Sequence, residues 1–93
     1  MTIEEILFEI KNICILNNVS KIVLFGSFAK GNNHKTSDID IAVDGDFDYF
    51  ELLDEINSIN TLRDVDLVDL RDLRNKNLLE DINSYGKILY QQI

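Results

Sequence analysis

Three aspartates and a Gly-Ser pair carry the chemistry this chain can support. Asp38 and Asp40 stand one residue apart in Ser37-Asp38-Ile39-Asp40-Ile41. On an extended segment, residues two apart point to the same side, so the two carboxylates can share one hard divalent cation. Mg²⁺ is commonly held by one or two carboxylates together with substrate phosphates. Upstream, Gly26-Ser27 closes the apolar run Ile22-Val23-Leu24-Phe25, and ten residues lie between Ser27 and Asp38. A glycine at a strand end lets the backbone turn sharply and come close to a ligand. The amides that follow it, with the Ser27 hydroxyl, can donate to phosphate oxygens. A third carboxylate from a neighbouring strand would complete a site for two metals, which stabilise the attacking and leaving oxygens of a phosphoryl displacement. Asp66 is the best-placed candidate; Asp64 shares its face nearer the strand start, and Asp69 faces the other way.

These residues need elements to position them. Thr2 followed by Glu5 is a capping-box pattern, and Ile3, Ile6, Leu7, Ile10, Ile13 and Cys14 recur at helical spacing up to a stop at Asn17-Asn18. Ile22–Phe25 predicts a buried strand, and residues 27–37 predict a polar, turn-prone loop. From Asp38 the pattern alternates, with Ile39, Ile41 and Val43 on one side and Asp38, Asp40, Ala42 and Asp44 on the other. An amphipathic helix is expected from Asp48 to about Asn60, and a third strand over Arg63–Leu70. Asn75 to Tyr85 predicts a helix stopped by Gly86, and Lys87–Gln91 a last strand. The order α, β, turn, β, α, β, α, β predicts a small α/β (α+β) fold, a mixed sheet flanked by helices. No repeat or linker divides the chain, so residues 1–93 are expected to form one domain.

Composition removes several function classes. Nine basic residues stand against seventeen acidic ones, a net charge of −8. Affinity for nucleic acid comes mainly from Lys and Arg neutralising phosphates, and the basic residues here form no stripe, so a long nucleic acid is not an expected partner. An acidic protein can still handle nucleotides when divalent cations stand between its carboxylates and the phosphates. The lone cysteine, Cys14, cannot form an internal disulfide and suits a reducing, cytoplasmic setting. The N-terminus carries acids where a signal peptide needs bases, and no apolar run approaches the ~18 residues of a membrane span. A chain of this size buries only about 60–65% of its unfolded surface, leaving little for an elaborate substrate pocket.

The residues Gly26-Ser27-Phe28-Ala29-Lys30-Gly31 and Ser37-Asp38-Ile39-Asp40 resemble the signature of the polymerase-beta-type nucleotidyltransferases, Gly-Ser followed after ten residues by Asp-x-Asp. Val65-Asp66-Leu67-Val68 is similar to the usual context of that family's third acid. Length and element order are similar to its minimal nucleotidyltransferase branch. The resemblance covers nearly the whole chain, although only residues 26–40 and 65–68 carry specific motifs. It implies a polymerase-beta-like mixed sheet whose Asp38, Asp40 and Asp66 bind Mg²⁺, two ions in all, with Gly26, Ser27 and Lys30 contacting the triphosphate. It also implies transfer of AMP from ATP, with release of pyrophosphate. Minimal members are often antitoxins paired with a HEPN-type ribonuclease toxin, on which they place AMP. One departure is Phe28, where many members have arginine directly after Gly-Ser.

The same residues admit other readings. Asp44, Asp46, Asp48 and Glu55 match ligand positions of an EF-hand loop, but Tyr49 stands where the sharp turn needs glycine. Acids there suit a helix N-terminus instead. His34 has no Cys or His partner and reads as a loop residue; Lys30 to Lys35 reads as an exposed loop. The Phe and Tyr residues are expected mostly in the core. Two functional alternatives stand beside enzyme action on a protein: a module that neutralises a basic partner by contact, and transfer to a small molecule. A partner protein or a homodimer is expected to complete so small a site.

Overall fold

The computed structural model describes all residues from Met1 to Ile93. Its elements are α1 (Ile3–Leu16), β1 (Val19–Phe25), α2 (Ser27–Lys30), β2 (Ile39–Gly45), α3 (Tyr49–Asn57), β3 (Val65–Asp69), α4 (Lys76–Tyr85) and β4 (Lys87–Gln91). The four strands make one mixed sheet in the order β3-β2-β1-β4. β1 pairs antiparallel with both β2 and β4, whereas β2 and β3 run parallel. A hairpin cannot join parallel neighbours, so the chain crosses over through α3.

Helix starts follow the side chains that cap them. Thr2 accepts from the Glu5 amide at 3.2 Å while the Thr2 amide donates to Glu5 at 2.9 Å, a complete capping box. Asp48 accepts from the Glu51 amide, and Asn75 from the Leu78 amide, both at 3.1 Å. Asn18 takes a left-handed backbone with φ of 66°, which stops α1 and launches β1 three residues earlier than the apolar run alone suggested.

Alternation along β2 decides which face becomes core. Ile39, Ile41 and Val43 are fully buried with Ile6, Ile10 and Cys14 of α1 and Leu52 and Ile56 of α3. On the opposite face a smaller cluster of Val23, Phe25 and Ala42 packs against Ile82 of α4. No polar or charged residue is buried in either cluster. Burial raises the Cys14 thiol to about 12, so it is inert packing.

Several expectations need correcting. Residues 27–30 form one helical turn, not loop; four residues are too few to show a period. α3 ends at Asn57 and β3 spans only Val65–Asp69, so Arg63 and Asp64 lie before the strand. Phe8, Phe50 and Tyr85 are exposed, while Phe25 and Phe47 are buried. No helix is long and apolar enough to cross a membrane.

Candidate active site

β1 is buried through Phe25, and the chain then turns at Gly26 with φ of 71° and ψ of −150°, a conformation essentially reserved for glycine. The antiparallel register sets Phe25 opposite Asp40, which brings the Asp40 carboxyl against the Gly26 backbone. A β-carbon on Gly26 would lie 2.1 Å from Asp40 Oδ2 and 2.9 Å from its Cγ. The glycine therefore does more than allow a turn: it leaves the space that Asp40 occupies. Ser27 opens α2 directly afterwards, the Lys30 amide closes the turn on the Gly26 carbonyl at 3.1 Å, and Gly31 ends it in the left-handed conformation.

The parallel register places Asp66 opposite Asp40. Asp38 precedes Asp40 by two residues and is exposed, as is Asp66. The structure thus brings Gly26, Ser27, Asp38, Asp40 and Asp66 to one end of the sheet. Burial first, then the charges of Asp66 and Asp38, push the Asp40 carboxyl up to about 6. No three Asp, Glu, His or Cys side chains stand close enough together to hold a metal ion as they are placed; Asp40 and Asp66 lie opposite one another in the register, with Asp38 two residues before Asp40. Their chemistry fits a hard divalent cation, because crowded carboxylates are relieved either by a proton or by a positive ion.

Lys30 is not among these carboxylates' partners. Its ammonium lies 2.8 Å from Asp81 Oδ1 and 5.1 Å from the centre of the Tyr85 ring, both on α4. Of the competing acids, Asp69 is engaged by its side chain and Asp64 only by its backbone. Asp69 pairs with Arg71 at 2.9 Å and is held below the usual carboxylate range by that hydrogen bond. The Asp64 carbonyl accepts the Ile39 amide at 2.9 Å. In the calcium-like run, Asp44 accepts from the Gly45 amide, Asp48 caps α3, and Glu55 accepts from the Asn17 side chain.

Arg63, expected from the sequence only as the start of a strand, lies before β3 and beside the site. Its guanidinium donates to the Ser37 carbonyl at 2.7 Å and lies over the Phe28 ring at 5.2 Å. Beside it is a hollow of about 530 Å³ whose walls include Lys35, Thr36, Asp38, Asn60 and Arg63. A second hollow, about 250 Å³, shares Arg63 and reaches Asp66. Nothing in the spacing of Arg63 signals this place; only a basic residue two positions before the β3 run could have drawn attention.

A strand-ending Gly-Ser, an Asp-x-Asp on the antiparallel neighbour and an opposed acid on the next strand define a nucleotidyltransferase-type site. The chain belongs to the polymerase beta nucleotidyltransferase family, whose model matches residues 9–92. It is similar to a chain of a toxin–antitoxin crystal structure solved with AMP-PNP, at a TM-score of 0.77 and 34% identity, covering 92% of this chain and 73% of that one. A chain of a toxin–antitoxin MntA–HpeT mutant with two aspartates changed to glutamate gives 0.75 and 32%, with 92% and 73% covered. A protein of Methanocaldococcus jannaschii with the provisional name protein adenylyltransferase is 47% identical over 36 residues, which are 39% of this chain and 36% of that relative.

Proposed function

We propose that this chain is a Mg²⁺-dependent nucleotidyltransferase that moves AMP from ATP to a hydroxyl of a protein partner and acts as antitoxin to a HEPN-type ribonuclease toxin. The observation that carries this reading is the register that sets Asp40 beside Gly26 on one strand and opposite Asp66 on the other. The toxin–antitoxin structures that the chain resembles, one of them with AMP-PNP, support the nucleotide and the class of partner.

Asp38, Asp40 and Asp66 would hold Mg²⁺, two ions in all, which when bound supply positive charge to the triphosphate and to the attacking oxygen. Gly26 and Ser27 offer backbone amides and a hydroxyl to phosphate oxygens at the start of α2. Asp66, exposed on the outer strand β3, orients the hydroxyl and takes its proton. The acceptor oxygen then bonds to the α-phosphorus as the bond to pyrophosphate breaks. Lys30 reaches the phosphates by exchanging its partner Asp81 for them. Residues 1–93 act as one domain in the cytoplasm, and with so little chain for a pocket, the partner protein or a second copy completes the site.

A contact-only antitoxin is the second reading, drawn from the net charge of −8 and from exposed Phe8, Leu16 and Phe50. Transfer to a small hydroxylated molecule is the third outcome. Incubation with Mg²⁺ and α-phosphate-labelled ATP, with and without the co-purifying partner, separates them. Label on the partner that vanishes with Asp38→Asn/Asp40→Asn supports the enzyme. Tight partner binding without label from any nucleotide supports contact, and label on a small hydroxylated compound supports the third.

A further inference from the structure

We infer that Arg63 is a positioning residue for the metal site, a strut that fixes Asp38 from outside the carboxylate group. The inference rests on the reading of Asp38 as a metal ligand. Asp38 has little support of its own: it is exposed, and it follows the irregular segment 31–37. Its approach to Asp40 and Asp66 also sets like charges together. Something must hold the chain there before any cation arrives.

The peptide groups on both sides of Asp38 are held by consecutive residues. Before it, the Ser37 carbonyl accepts from Arg63 Nη1 at 2.7 Å. After it, the Ile39 amide donates to the Asp64 carbonyl at 2.9 Å. The preceding turn is closed on itself, with the His34 amide donating to Ser37 Oγ at 2.7 Å and the Ser37 amide to the His34 carbonyl at 3.2 Å. The same Arg63 Nη1 reaches the His34 carbonyl in a long contact of 3.5 Å. One guanidinium thus grips both ends of the turn that delivers Asp38.

The guanidinium is itself backed by Phe28, 5.2 Å from its ring centre, within the range of a cation–π contact. Phe28 follows Ser27 and packs on the main core. Arg63 therefore ties the Gly-Ser element to the Asp-x-Asp element, and its own backbone leads into the strand that carries Asp66. A lysine could keep the charge but not the planar stack on Phe28.

Mn²⁺ titration followed by electron paramagnetic resonance tests this without requiring turnover. Arg63→Ala is expected to bind Mn²⁺ roughly ten- to a hundredfold more weakly, the range seen when groups supporting metal ligands are removed. Arg63→Lys falls between, and it keeps the comparison open if the alanine variant does not fold. Hydrogen exchange at the Ser37 and Ile39 amides accelerates in both variants, while the Ile41 and Val43 amides keep their protection; a general loss of stability would speed all four. In an Asp38→Asn background the Arg63 substitution adds no further loss of affinity. Wild-type Mn²⁺ affinity in Arg63→Ala, or an undiminished loss in the Asp38→Asn background, overturns the inference. Wild-type protein that binds Mn²⁺ but transfers no AMP refutes the enzyme reading and leaves the Arg63 comparison standing on affinity alone. Wild-type protein that binds no Mn²⁺ refutes both.

Discussion

The two faces of the sheet are built from the same strands and have opposite energetics. Toward α1 and α3, β2 presents Ile39, Ile41 and Val43 to a cluster of 14 buried apolar residues. Toward α4 it presents Asp40 and Ala42, and only four residues form a core there. One face gains from every contact it makes. The other holds carboxylates against one another, with Asp40 partly withdrawn from water and its carboxyl raised to about 6. A single strand can therefore pass stabilisation from its packed side to a site that, without a cation, is unfavourable in itself.

Substitutions on the two faces should separate activity from stability. The largest effect is expected for Asp38→Asn/Asp40→Asn: AMP transfer falls by more than about a hundredfold, beyond the loss typical of removing groups that merely support metal ligands. Calorimetry should find the thermal midpoint of that metal-free variant unchanged or higher, since repulsion has been removed; a clear drop would show that the carboxylates stabilise the fold. Ile41→Ala inverts the pattern, costing about 2–5 kcal/mol of stability by denaturant unfolding. Gly26→Ala falls between, because it strains the backbone by about 1–3 kcal/mol and drives a β-carbon into Asp40. Its loss of transfer should exceed its loss of stability.

A gentler test uses pH. The Asp40 carboxyl rises from 3.8 to about 6 through burial and the charges of Asp66 and Asp38. The folded protein thus holds this proton more tightly than the unfolded chain does. The stability it contributes is full below about pH 4 and is lost as pH rises through about 6. In metal-free protein, the difference in thermal midpoint between wild type and Asp40→Asn should move against wild type across that interval. Mg²⁺ binds the deprotonated site, so its stabilising effect should grow over the same range. The smallest effect belongs to Asp81→Ala, which frees the exposed Lys30. Thermal stability should hardly change, and a tighter interaction with AMP-PNP would confirm that Asp81 competes with phosphate for Lys30.

The sequence revealed more of the site than of its supports. Gly26-Ser27 and Asp38-x-Asp40 are local patterns, and alternation along β2 told which side the acids take. Asp66 was preferred to Asp64 and Asp69 for its strand face and its similarity to the family's context, and the register sets it opposite Asp40. α2 was not legible, since a single turn has no periodicity and its residues favour turns as readily as helix. Arg63 was hidden for another reason: its partners, Ser37 and Phe28, are distant in sequence, and a carbonyl acceptor leaves no mark on residue type. The swing of Phe50 out of the core had a similar cause. Leu52 and Ile56 already fill the α3 contact, a choice that tertiary packing makes and spacing alone does not.

The parallel pairing of β2 with β3 also sets a schedule. Asp38 and Asp40 emerge from the ribosome beside their antiparallel partner β1 and can take their places through a short connection. Asp66 comes later and reaches them only after α3 has crossed the sheet, a long-range closure that is slow compared with local folding. Until then a nascent chain would carry two of the three carboxylates and lack Asp66 opposite Asp40. β3 is also an outer strand, so local fraying could withdraw Asp66 while the packed face stays folded. Topology thus makes the meeting of the three carboxylates among the last features acquired during folding and among the first surrendered on unfolding.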